Sequence, residues 1–217
     1  MKNLKIAFVA AAFAAFSLPA TAQMVNATEP IVLSVDGYVV TAAQDTLKGQ
    51  VAARVVNNYV TTIMFKDAKG AKTKYTANDV VAYGQKRPKL LRDYNDLTSV
   101  DKNYLHYESI EHPTKAGKKV FAERLMNGSR IKIFDNPTGS ESSTNVAGFK
   151  LKENESSYVV YKQGSKPFIL RKRKYEDEFA ALFGDCAEFM SYAKDKPELK
   201  KFNNIGAVIE NYNNRCQ

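Results

Sequence analysis

From residue 31 onward, apolar and polar residues alternate in short runs separated by turn-forming residues, the two-residue period of half-buried strands. The stretch GYVVTAAQDTLKGQVAARVV reads as two strands, 37–42 and 47–56, around a polar corner at 44–46. TTIMFKDAKGAKTKYT repeats the pattern at 61–65 and 73–76, with Gly70 placed where a hairpin loop wants a residue at positive φ. In VFAERLMNGSRIKIF the pair Asn127-Gly128 predicts a type I′ turn, and YVVYKQGSKPFILRK predicts a further hairpin turning at 163–166. Two stretches break the alternation: 85–101 reads as a loop or short helix, and NPTGSESSTN at 136–145 reads as a loop.

After Tyr175 the period changes to that of a helix. Phe179, Leu182 and Phe183 share a face, and Phe189 and Met190 follow beyond the Gly184-Asp185 break. Pro197 marks a helix start with Leu199 and Phe202 on one side. Ile205, Val208, Ile209 and Tyr212 then fall at i, i+3, i+4 and i+7, an amphipathic helix. The expected fold is therefore mainly β: a curved antiparallel sheet or barrel-like sandwich of eight to ten strands, with a small α-helical C-terminal cap.

The first residues add a processing segment to this picture. Lys2 and Lys5 precede an apolar run from Ile6 to Phe16, then Pro19 and Ala20-Thr21-Ala22, the pattern of a secretory signal peptide cut after Ala22. The run is too short for a permanent membrane helix, and no later stretch reaches the ~18 apolar residues one needs. The expected organisation is a signal peptide at 1–22, an N-terminal extension at 23–36, a β-rich domain at 37–174 and a helical cap at 175–217. Export to a periplasm, the outer envelope or the medium follows. Loss of Lys2 and Lys5 takes the formal charge from +9 to +7, still basic enough to be drawn to anionic surfaces. Twelve tyrosines and twelve phenylalanines, with no tryptophan, suit a pleated sheet.

The two cysteines, Cys186 and Cys216, acquire meaning from that compartment. In an oxidising space they are read as a disulfide closing a loop of about 31 residues. A catalytic thiol would want a histidine partner, and both histidines lie far upstream.

The segments GYVVTAAQDTLKGQV, IMFKDAKGAKTKYTANDVVAYG, FAERLMNGSRIKIFD, YVVYKQGSKPFILRK and FGDCAEFM followed by IGAVIENYNNRC occur in this order from Gly37 to Cys216. As a set they resemble a family of uncharacterised exported proteins of Bacteroidetes-type bacteria. The resemblance implies a Gram-negative envelope location and carries no reaction, cofactor or catalytic residue.

Chemistry-bearing constellations are few. In YLHYESIEH a strand places Tyr104, His106, Glu108, Ile110 and His112 on one face, and His106 with Glu108 is the only weak candidate for metal ligation. His106 and His112 would stand about 20 Å apart along that strand, so one ion cannot take both. No metal and no cofactor are therefore expected. The basic run Arg171-Lys172-Arg173-Lys174 is the candidate anion-binding segment; on a strand it points Arg171 and Arg173 to one side and Lys172 and Lys174 to the other. Its competing reading is a solvated edge strand. Nucleophile elbows, His-Glu-x-x-His, phosphate loops and Cys-x-x-Cys are missing. The expectation is an exported non-catalytic protein that binds an envelope protein or an anionic glycolipid or glycan, with no nucleic acid partner. The alternative is a hydrolase acting on envelope glycans or lipids, favoured by a concave cluster of two carboxylates or of His106 and Glu108 with a third ligand, whereas a convex basic face with an apolar patch favours binding.

Overall fold

The computed structural model describes residues 33–56, 58–89, 101, 103–146 and 149–216, with the backbone alone at 140–146 and 149–155. The segment read as a signal peptide, most of the expected N-terminal extension and most of the 85–101 stretch lie outside them. The alternating segments form ten strands of one antiparallel sheet: β1 (Val35–Thr41), β2 (Thr46–Val56), β3 (Tyr59–Lys66), β4 (Lys72–Thr76), β5 (Val80–Lys86), β6 (Tyr104–Glu111), β7 (Lys119–Met126), β8 (Ile131–Asp135), β11 (Ser157–Lys162) and β12 (Phe168–Arg171). A separate hairpin pairs β9 (Ser140–Val146) with β10 (Phe149–Glu155).

In the large sheet the order is β12-β11-β8-β7-β6-β5-β1-β2-β3-β4, and β3 also touches β7. That contact, Val60 opposite Phe121, bends β1, β2, β3, β7, β6 and β5 into a ring closed by one residue pair, which is not a clean barrel. Odd-numbered residues of these strands point inward except past the register shifts at Val40/Thr41 and Arg54/Val55, where Val80 and Val60 turn to the interior. Val39, Val51, Ala53, Ile63, Phe65, Tyr83 and Phe121 fill the interior with Tyr107 packed against them. Tyr83 and Tyr107 stack at 4.6 Å, and Phe121 meets Tyr83 edge-on at 5.0 Å. Even-numbered residues point outward, and the candidate site is built from them.

β7 bulges between Arg124 and Met126 and passes to β8, which extends the sheet through β11 and β12. The helices α1 (Tyr175–Phe183), α2 (Ala187–Ala193) and α3 (Ile205–Arg215) cover one face of this extension. Pro197–Lys200 and Phe202–Asn204 are short 3-10 turns rather than an α-helix, yet Leu199 and Phe202 are buried together as their spacing predicted. Ile205, Val208, Ile209 and Tyr212 are all buried against Ile131, Ile133, Tyr158, Val160 and Leu170. Among the described residues no helix is long and apolar enough to cross a membrane. Cys186 and Cys216 form a disulfide, with Cα atoms 5.9 Å apart, and it encloses α2, both 3-10 turns and α3.

Three local expectations are corrected. Asn127 and Gly128 do not form a type I′ turn, because neither has a positive φ. Gly128 is needed there for close approach: a Cβ would lie 2.0 Å from the Asn213 side chain of α3. Asn213 in turn accepts from the backbone N–H groups of Arg130 and Ile131 at 3.0 and 2.9 Å and donates to the Ile131 carbonyl, docking α3 onto the loop. Residues 140–145, read as loop, are strand β9, where hairpin pairing with β10 overrides a serine-rich composition. The basic run is no strand: β12 ends at Arg171, and Lys172–Lys174 make a 3-10 turn into α1.

The cap contains one charged knot. Lys162 donates to Asp185 at 2.8 Å and to the Leu182 carbonyl at 2.7 Å, and Tyr212 donates to Asp185 at 2.8 Å. Desolvation pushes the Asp185 carboxyl up, but the hydrogen bonds from Lys162 and Tyr212 and the lysine charge outweigh it and hold it below the usual range. Burial, with the bond to Asp185, pushes the Tyr212 phenol up to about 12. A depressed carboxyl stabilises the fold above its unfolded value and loses that contribution as pH falls through the folded one. A raised phenol stabilises below the unfolded value near 10 and loses its contribution as pH rises toward 12. Melting temperature should therefore decline on both the acid and alkaline sides. Asp185→Asn should flatten the acid decline and narrow the alkaline one; unchanged slopes would remove the knot from this account.

Candidate functional site

Three neighbouring strands set the centre of the site. Tyr38 on β1 stands opposite Gly84 on β5, and Gly84 stands opposite His106 on β6. Any side chain at Gly84 would separate the other two: a Cβ there would lie 2.1 Å from the Tyr38 ring. Because the position is glycine, the Tyr38 ring lies across β5 and its hydroxyl reaches His106 Nδ1. His106 Nε2 lies 2.8 Å from Asp101 Oδ2, and Asp101 also accepts the backbone N–H groups of Asn103 and Tyr104 at 2.8 and 3.1 Å. Tyr104, two residues before His106 on the same face, sets its ring 5.8 Å from that of Tyr38.

The protonation pattern follows from these partners. Desolvation pushes Tyr38 up, with Asp101, Tyr104 and Glu108 adding to it against the opposing charge of Arg124, so its hydroxyl remains a donor. Burial pushes Asp101 up as well, but the backbone donors and His106 outweigh it and hold the carboxyl low. Tyr38 therefore donates to Nδ1, and Nε2–H donates to Asp101, which assigns the His106 tautomer from its network.

Glu108, the next outward residue of β6, is flanked by Ala82 and Ala122, whose small side chains leave room for longer groups to reach it. Arg124 on β7 and Lys132 on β8 both close on its carboxylate, Lys132 at 2.9 Å. Glu108 is only 18% exposed, so this is a half-buried pair of cations around one acid, a net positive spot.

Beside this row opens a cleft of about 160 Å³ lined by Arg87, Asp101, Tyr104, His106, Glu123 and Arg124. It is smaller than the several hundred Å³ that enclose a whole drug-sized ligand, and suits one sugar ring or headgroup end. Two guanidiniums, two carboxylates, one phenol ring and a fixed imidazole line it.

The expectations sort as follows. His106 and Glu108 do share the outward face of β6, as the alternation predicted, and each meets partners from other strands. They do not form a metal centre: both His106 nitrogens are engaged, and Glu108 is engaged by two cations. Among the described residues no group of three His, Cys, Asp or Glu is placed to hold a metal ion. His112 lies past the end of β6 against the Tyr59 ring, 4.8 Å away, outside the cleft. Arg171, Lys172, Arg173 and Lys174 are all exposed on the turn into α1, distant in topology from the cleft and followed at once by Glu176, Asp177 and Glu178. Cys186 and Cys216 belong to the cap.

Sequence reading missed Tyr38, Gly84, Asp101 and Arg124 as members of one site. Only strand order reveals them, since Tyr38 and His106 are 68 residues apart. Compared with known protein families, curated proteins and solved structures, the chain matches none.

Proposed function

We propose that this chain is an exported binding protein of a Gram-negative envelope, and that the cleft beside His106 holds the acidic end of a surface glycan or glycolipid. The observation that carries the reading is the lining of the cleft. Tyr104 offers an aromatic face, Arg87 and Arg124 offer planar donors suited to a carboxylate or phosphate, and His106 is fixed between them. All but Arg87 stand on paired strands, so the geometry is set before a ligand arrives and little ordering is needed on binding. The disulfide supports an oxidising compartment.

Hydrolysis is the rival use of an Asp-His-Tyr chain. It would need Tyr38 to give up its proton readily, and burial acts in the opposite direction. The arrangement supports holding a ligand over attacking one.

The test is calorimetric titration of the mature protein with short uronic-acid-bearing oligosaccharides and their neutral counterparts. Acidic sugars should bind and neutral ones should bind more weakly. Tyr104→Ala should weaken binding by tenfold or more while leaving the melting temperature nearly unchanged, since Tyr104 is half-buried at the cleft edge. Equal affinity of wild type and variant, or release of a shortened sugar, would overturn the reading.

A further inference from the structure

The outward face of β2, β3 and β4 carries an arrangement that the cleft does not use. Its even positions include Lys48 and Arg54 on β2, Met64 and Lys66 on β3, and Lys72 and Lys74 on β4, all exposed. Residues 46–76 hold six Lys or Arg against the single carboxylate of Asp67, a net +5 within a chain of net +9. Register brings these charges together. Lys66 stands directly opposite Lys72, Met64 opposite Lys74, and Gln50 completes the Lys66 row on β2. Among the described residues, Lys48, Lys66, Lys72 and Lys74 have no carboxylate partner.

Like charges directly opposite on adjacent strands are destabilising. Lysines on an edge strand have an ordinary use, blocking edge-to-edge pairing, and β4 is an edge. That use accounts for Lys72 and Lys74 but not for Lys66, Arg54 or Lys48, which stand on inner strands. Nor does it account for Met64, 41% exposed in the middle of the lysines, or for Val56, 41% exposed on the same face where β2 ends. A flat cationic face with an apolar side chain at its centre and an apolar rim at one end complements one kind of surface: anionic headgroups over an acyl layer.

We propose that the β2–β4 face is a membrane-docking surface that lies against anionic lipid headgroups, with Lys66, Lys72 and Lys74 on phosphates and Met64 and Val56 dipping below them. The surface is independent of the cleft and survives if the glycan reading fails.

Sedimentation with vesicles of phosphatidylglycerol and phosphatidylcholine, against pure phosphatidylcholine, tests it. The mature protein should bind the anionic vesicles, and binding should fall steeply with salt. The triple variant Lys66→Gln, Lys72→Gln, Lys74→Gln should lose about a hundredfold in partitioning, roughly fivefold per cation. Neutralising Arg171 to Lys174 should change it little. Met64→Gln should weaken vesicle binding without altering the salt dependence. No binding to anionic vesicles at low salt would overturn the proposal, as would equal loss from the Arg171–Lys174 variant. A Met64→Gln variant that binds like wild type, together with equal affinity for a soluble polyanion, would overturn it in favour of plain charge attraction.

Discussion

Replacing Cys186 and Cys216 with serine should lower the stability of the folded chain by about 3 to 4 kcal/mol, with a drop in melting temperature of about 10 °C. The loop they close spans 30 positions and holds nearly all of the cap beyond α1. The crosslink removes conformations from the unfolded chain, and it does so where the folded chain has short helices with no side-chain caps at their N-termini. Strand signals in circular dichroism should persist in the variant at room temperature, because the strand pairings and buried clusters that hold the fold are untouched by the substitution. Adding reductant to the wild type should reproduce the same shift. A variant melting at the wild-type temperature would mean that Asn213 and the Arg130 bond to the Cys216 carbonyl, at 2.6 Å, hold the tail alone.

Phe189→Ala should cost about 3 to 5 kcal/mol, the range for emptying a buried aromatic site. Phe189 is fully buried, and its ring meets Phe183 at 5.1 Å, Tyr212 at 5.5 Å and Phe179 at 6.1 Å. These rings come from α1, α2 and α3, so one truncation removes the contact at which all three helices converge. Phe189→Leu keeps most of the volume and should cost well under half as much. Urea unfolding of both variants gives the comparison, and similar midpoints for the two would show that the cap collapses to fill the space. Phe189 is three residues from Cys186, so the two losses should not add when combined.

The parts of the fold legible in sequence were those whose signal is local. Alternation at 61–65 and the helical spacing of Ile205, Val208, Ile209 and Tyr212 depend only on which side chains must be buried, and both elements form. The cysteine pair was legible because compartment chemistry narrows its options. β9 was not legible, since Ser140–Val146 has no apolar alternation and owes its extended form to its partner strand. Gly128 was legible as special but for the wrong reason: Asn-Gly signals a turn, whereas here the missing Cβ makes space for Asn213.

The site lay further from view. No local pattern singles out Asp101, and Tyr38 is simply one position of the alternating stretch 37–42. Their meeting at His106 depends on β5 running between β1 and β6 with glycine at the crossing point, which is a property of strand order. The basic face was half visible: Lys74 fell in the strand read at 73–76, while Lys66 and Lys72 join it only through the longer observed strands and their register.

The double membership of β7 bears on how the molecule can come apart. Its first half is paired to β6 and meets β3, completing the ring, and its second half starts the platform on which the helices sit. No cut in the chain leaves the platform a bordering strand without taking one from the ring. Ring and cap are therefore joined in a single cooperative unit, and the cap is no transferable module: transplanted without Lys119–Met126 it would carry an open sheet edge in place of a neighbour.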